Sequence, residues 1–282
     1  MINQSQALVT AMVSKFLRES RNRVDCNTLV DGLSAAFDGL SSVLKHQLFV
    51  NMPQFLEIVD RGFEASFLGL RQGVAVEVAE LFSSYLDALL DVTSGSTIDL
   101  KARETGISKL IDLLRVMREH QDFWYFHEKA LAQRLLRERY ISLSYESSVL
   151  ARIDSTSHSA AKHTQSSRSH RMIKDVTDSH ALNNAFRGYL MTSYDEAVDL
   201  AAVSSAIVTA GSVDSKERLM RQEEIRLVNK DGLHVNVVAQ LNWPRTFNVD
   251  AAQAVRLPPL LGRLKQRFND FYCAKFPDGK SQ

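Results

Sequence analysis

The sequence predicts a mainly α fold: a stacked helical repeat followed by a helical bundle, with a small β element near residues 234–249. Three observations carry this expectation. Punctuation is sparse, with 5 Pro and 12 Gly in 282 residues. Apolar residues recur at three- and four-residue spacing over long stretches, the mark of helices with one buried face. Only one run, HVNVVAQL from His234 to Leu241, alternates in the way a half-buried strand does.

Residues 1–120 read as helical almost throughout. Over 53–69, Phe55, Ile58, Val59, Phe63 and Phe67 fall on one helix face, and over 74–90 Val78, Leu81, Phe82, Tyr85, Leu86 and Leu89 do the same. Ile107, Leu110, Ile111, Leu114 and Met117 continue the pattern up to a charged break at Arg118, Glu119 and His120. None of these helices is stable alone, so they must stack.

A second region, 121–282, opens with FWYFHEKALAQRLL, Phe123 to Leu136. Phe123, Phe126, Ala130 and Leu131 recur at helical spacing and are expected to face neighbouring helices. Lys129, Gln133 and Arg134 are expected to face mostly water. Trp124 lies off the centre of that stripe, so the sequence leaves open an exposed anchor or burial in a wide core.

The run DSTSHSAAKHTQSSRSH, 154–170, has no large apolar residue and predicts a mobile loop. Order resumes near Met172, and Leu182, Ala185, Phe186 and Leu190 share the face of a short helix from about Ser179. KERLMRQEEIRLVNK reads as a solvated, mixed-charge helix face. The strand follows an Asp231-Gly232 turn signal, with TFNVD after Trp243-Pro244 as the nearest pairing partner. Pro258 and Pro259 then open a final helix whose stripe is Leu257, Leu260, Leu261, Leu264, Phe268, Phe271 and Tyr272.

Composition narrows the function. Thirty-four basic against 33 acidic residues leave a net charge of +1, so no long-range field recruits nucleic acid or a membrane surface. Cys26 and Cys273 lie far apart without zinc or CxxC spacing, which fits free thiols in a reducing compartment, and no signal peptide or membrane span is read. The expected location is therefore cytoplasmic, nuclear or both. No phosphate loop, HExxH, GxSxG or dinucleotide fingerprint occurs. His158, His163, His170 and His180 match no metal-site spacing, and Cys273 reads as a small hydrophobe rather than a nucleophile. No catalytic, cofactor-binding or metal residue is assigned, and no small-molecule substrate is expected.

Four segments, in order, carry a family resemblance. Phe123, Phe126, Lys129, Leu131, Ala132, Arg134, Leu135 and Leu136 follow the form FxxFYxKxLAxRLL of the cullin family, with His127 in place of the usual aromatic. Asn51, Phe55 and Phe67-Leu68 resemble an upstream cullin helix. Met172, Lys174, Asp175, Ser179, Leu182, Asn183, Phe186 and Leu190 resemble MFKDMxxSxxLNxxFxxxL. Trp243-Pro244 resembles the family's strand ending in WP, and Leu257, Pro258, Phe268, Phe271, Tyr272, Lys275, Gly279 and Lys280 resemble LPxxLxxxxxxFxxFYxxKxxGRK.

The resemblance implies that 1–120 is cullin-repeat-like and 121–282 the four-helix-bundle-like start of the cullin homology region. It implies a non-catalytic scaffold of a multisubunit ubiquitin ligase, acting in ubiquitin-dependent protein degradation. The partners implied are a RING-box protein and substrate adaptors, although the family's adaptor-binding N-terminus and its RING-binding and winged-helix parts find no counterpart in this sequence. The rival expectations are a truncated or degenerate cullin that assembles no ligase, and an unrelated helical tethering protein.

Overall fold

A computed structural model describes residues 2–19, 25–43, 56–92, 99–117, 121–156, 166–205, 213–229, 233–245 and 256–277. The chain divides into two compact units, Met1–Ile173 and Lys174–Gln282, a division later than the 120/121 boundary that the sequence suggested.

In the first unit the helices are α1 (Ile2–Glu19), α2 (Cys26–Val43), α3 (Leu56–Leu68), α4 (Gln72–Leu90), α5 (Leu100–Met117), α6 (Gln121–Leu136) and α7 (Leu143–Thr156). In their packing α1 lies on α3, α2 on α4, α3 on α5, α4 on α6 and α5 on α7, and α5 also packs on α2 and α4. Each helix thus covers its neighbour two places along the chain. Such a stack buries one continuous apolar seam, as a helical repeat array does.

The periodic residues fill that seam. Ile58, Val59, Phe63 and Phe67 of α3 are buried, as are Val78, Phe82, Tyr85, Leu86 and Leu89 of α4. Each such side chain contributes roughly 1.5–3 kcal/mol of apolar burial. Phe55, Asn51 and the charged break at 118–120 lie outside the described residues.

The α1–α3 contact is close because its residues are small. A Cβ on Gly62 would lie 2.5 Å from a methyl of Val9. In the same crossing Thr10 Oγ1 donates to the carbonyl of Gly62 (3.3 Å), and Ser66 Oγ donates to that of Thr10 (3.2 Å).

The loop expected over 154–170 is helical at both its ends. Residues 154–156 complete α7, and α8 (Ser167–Ser205) begins at Ser167, while 157–165 lie outside the described residues. The polar character of the run is used for packing. Asp154 accepts a bond from Ser166 Oγ (2.8 Å) and meets His170 Nε2 (3.0 Å), and Ser166 and Ser169 are buried.

The second unit holds the rest of α8, then α9 (Val213–Asn229) and α10 (Pro259–Lys275). The short helix expected from Ser179 is part of the longer α8. Phe186 and Leu190 of α8, Val228 of α9, and Leu264, Phe268 and Phe271 of α10 form one core. The rings of Phe186, Phe268 and Phe271 meet at 5.1–6.1 Å between centroids. The mixed-charge helix α9 is not wholly solvated. Glu224 is buried, with Arg267 Nε 3.2 Å from its carboxylate, and Val228 enters the core.

The predicted strand is extended over residues 233–239 but pairs with no other strand among the described residues, and Gln240–Asn242 turn into a single 3₁₀ turn. TFNVD, 246–250, lies outside the described residues.

Candidate functional site

In unit 1 the FWYFHEKALAQRLL helix, α6, is a core element. Its buried face is Phe123, Trp124, His127, Glu128, Leu131, Ala132, Arg134 and Leu135, whereas Phe126 and Ala130 are only half-buried. The stripe is therefore centred one position away from the predicted one. Trp124 is buried, and Tyr125 is the exposed aromatic, with Lys129 Nζ 4.0 Å from its ring centroid and 2.7 Å from its hydroxyl.

Arg134 overturns its expected place in water: it is 1% exposed. Its guanidinium donates through Nε (3.1 Å) and Nη2 (3.0 Å) to the Glu146 carboxylate, and through Nη1 to Asp87. A planar fork against a carboxylate is the arrangement that makes arginine acceptable inside a protein. The node joins α4, α6 and α7. A helix-end feature sits beside it. Arg139 N–H bonds back to the Arg134 carbonyl (3.0 Å), and Glu138 takes a left-handed φ of 53°, a position that normally favours glycine.

His127, where the family pattern has an aromatic, behaves as one. Its ring stacks on Phe123 at 5.6 Å and meets Trp124 edge-on at 5.7 Å, and neither ring nitrogen has a hydrogen-bond partner. Burial, with a smaller contribution from Arg134, pushes its pKa down to about 3, so the ring is neutral.

In unit 2 the predicted residues converge on the extended segment. Asn183 Nδ2 donates to the carbonyl of Val235 (3.0 Å), and Val235 N–H donates to Asn183 Oδ1 (3.0 Å). Ser179 Oγ donates to the carbonyl of Val237 (3.2 Å) and accepts from its N–H (2.9 Å). Asp175 accepts from Ala239 N–H (3.0 Å), from Trp243 Nε1 (2.9 Å) and from Asn242 Nδ2 (3.4 Å). Side chains every fourth residue of α8 thus serve backbone groups every second residue of the segment.

The spacing makes this work. Four helical residues rise about 6 Å and two extended residues about 6.6 Å, so successive rungs stay in register. The ladder bonds the backbone groups that a partner strand would bond, which is why the alternating run stays extended with no paired strand among the described residues. Asp175, Ser179 and Asn183 match the family pattern in the sequence, which by itself gives them no task. The signal was present in their four-residue spacing set against the two-residue alternation of Val235, Val237 and Ala239.

The remaining predicted residues divide by exposure. Met172, Phe186, Trp243, Pro244, Phe268 and Phe271 are buried, Tyr272 is half-buried at the core edge, and Lys174 is exposed and pairs with Asp178 (2.6 Å). No group of three or more His, Cys, Asp or Glu side chains that could hold a metal occurs among the described residues, and none of their helices is long and apolar enough to cross a membrane. His158 and His163 lie outside them.

A stack of amphipathic helices in which each covers the second one along defines a helical scaffold of the α-solenoid class. The chain belongs to the cullin family, whose alpha solenoid domain matches residues 1–183. Among curated proteins, Cullin-4 of Dictyostelium discoideum is 24% identical over 248 residues, covering 88% of this chain. The chain spans about a quarter of the length of that relative, 25%.

Proposed function

We propose that this chain is a non-catalytic scaffold that binds components of a multisubunit ubiquitin ligase, acting in ubiquitin-dependent protein degradation in the cytoplasm, the nucleus or both. The observation that carries the reading is membership of the cullin family over 1–183, together with the stacked packing of α1 to α7. A helical repeat stack of this kind supplies an extended surface on which partners can be held. A scaffold of this type acts by raising the effective concentration of what it holds together.

The partners proposed are a RING-box protein and a substrate adaptor. Of the family-motif residues, Phe123, Leu131, Arg134, Leu135, Met172, Phe186, Trp243, Pro244, Phe268 and Phe271 are buried and hold the fold, whereas Lys129, Lys174 and Tyr272 keep exposed surface for partners.

The test is affinity purification of the tagged chain from its own cells, with mass spectrometry of the proteins that accompany it. Recovery of a RING-box protein or an adaptor supports the reading. Recovery of vesicle-tethering subunits, or of neither class, overturns it.

A further inference from the structure

The ladder between α8 and the extended segment brings together two histidines that lie far apart in the sequence. His180 follows Ser179 on α8, and His234 precedes Val235 on the segment, so each stands next to a residue fixed by a rung. Their ring centroids are 5.9 Å apart, with 53° between the ring planes. Side chains alternate along an extended chain, so His234 leaves on the side opposite Val235 and Val237, which pack against the core of Phe186 and Phe268. His234 is exposed and His180 half-buried, which puts the pair at the surface, on the flank of the ladder away from the core.

A neutral imidazole keeps one unprotonated ring nitrogen, and its lone pair makes histidine the commonest metal ligand among side chains. With a zinc–nitrogen bond of about 2.0–2.1 Å, two imidazoles on one ion hold their ring centroids roughly 5–5.5 Å apart. The observed separation exceeds this by under about 1 Å, a closure that rotation about the side-chain bonds supplies. The backbones that carry the rings are already in place. The segment is held on either side of His234, by Leu233 N–H on the Leu227 carbonyl (3.3 Å) and by the Asn183 rung at Val235. A chelate between two elements fixed by other bonds avoids the ordering cost that a flexible pair carries.

No third His, Cys, Asp or Glu joins the pair in a metal-binding group among the described residues, so the remaining coordination positions fall to water. Imidazole nitrogens suit zinc, nickel or copper, whereas calcium and magnesium select oxygen ligands. We propose that His180 and His234 form a two-histidine site for a divalent transition-metal ion of the zinc and copper class, which clips the extended segment to α8 beside the ladder. The bound ion acts as one further rung and stabilises the second unit as its concentration rises past Kd. Spacing along the sequence gives no sign of the pair, because only the fold joins its members.

The inference does not rest on the ligase reading, and its test uses the purified full chain. After treatment with a chelator the chain is titrated with zinc chloride by calorimetry, and amide hydrogen exchange is followed at Val235, Val237 and Ala239. His180→Asn, His234→Asn and a chain carrying Cys26→Ser with Cys273→Ser are run alongside, because the two free thiols also bind zinc. Unchanged exchange at the three amides in the metal-free variants verifies that the ladder is intact. If His180→Asn disturbs it, His234→Asn alone decides.

The expected result is a zinc-binding step that slows exchange at the three amides about tenfold when free zinc is ten times Kd. Each histidine variant is expected to lose affinity by no less than the roughly 10- to 100-fold that changes behind a ligand cost, while the cysteine variant keeps it. Binding that the histidine variants retain, binding that the cysteine variant loses, or binding that leaves the three amides unprotected overturns the proposal. So does the absence of both heat and protection with zinc up to about 1 mM.

Discussion

The two units of this chain solve the same problem with different chemistry. In Met1–Ile173 the helices cover one another in a regular stack, and the buried Arg134 is matched by two carboxylates from other helices. In Lys174–Gln282 the apolar core is a small cluster around three phenylalanines, and an extended segment is tied down by side chains of one helix. The first arrangement rests on burial, with polar groups as a local exception. The second uses polar groups as the main fastening of a whole segment. Perturbing an ion pair should therefore damage the first unit most, and perturbing single hydrogen bonds the second.

The largest effect is expected from Arg134→Met, which leaves Glu146 buried without its partner at 1% side-chain exposure. Removing one partner of a buried pair costs about 3–5 kcal/mol. Urea unfolding of the variant should show that loss, and adding Glu146→Leu should restore most of it, because the stranded charge is then gone. If the double variant is no better than the single one, the node does more than neutralise its own charges.

Next comes Asp175→Ala in the second unit. It strands the N–H groups of Ala239 and Trp243, the latter on a side chain that is 2% exposed. A loss of about 2–3 kcal/mol is expected, since charge-assisted bonds to buried donors are being removed. Hydrogen exchange should accelerate at Val235, Val237 and Ala239 together, with little change in unit 1. Acceleration confined to Ala239 would mean that the rungs act independently.

At neutral pH a smaller effect is expected at His127, and it grows as the pH falls. Its pKa is near 6.5 when the chain is unfolded and about 3 when folded, so between those values the unfolded state binds the proton. The stability that a neutral ring allows is complete above pH 6.5 and is lost as pH falls, by about 1.4 kcal/mol per pH unit. His127→Phe should flatten the pH dependence of unfolding over that window and keep the ring stack. An unchanged acid midpoint would show that other groups dominate acid unfolding.

The smallest effect is expected at the end of α6, where Glu138→Gly relieves the left-handed backbone. A gain of up to about 1 kcal/mol should appear as a higher melting temperature.

These regions also differ in how far the sequence disclosed them. The helices of unit 1 were legible because Ile58, Val59, Phe63 and Phe67, like Val78, Phe82 and Leu86, repeat with the period of a helix whose one face is buried. Arg134 was not. A hydropathy pattern counts it as polar, and the carboxylates that make its burial tolerable sit 47 and 12 residues away in sequence. The Ser- and His-rich run misled for a related reason, since small polar side chains such as Ser166 and Ser169 are buried where helix ends approach closely. In unit 2, alternation correctly announced an extended segment. It could not say what would bond the backbone, because a strand partner and a row of helix side chains satisfy the same groups.

That row has a limit set by arithmetic. A helix advancing about 6 Å per four residues and a strand advancing about 6.6 Å per two are nearly commensurate, like the two scales of a vernier, and drift apart by roughly half an ångström per step. Three rungs fit within the tolerance of a hydrogen bond. One step further, Leu233 N–H turns to the carbonyl of Leu227 instead, and at the other end the chain coils into the turn at Gln240–Asn242. The length of the extended segment is thus fixed by the mismatch of two periodicities, so an insertion of one residue between Ser179 and Asn183 would misalign the ladder more severely than the loss of any one of its side chains.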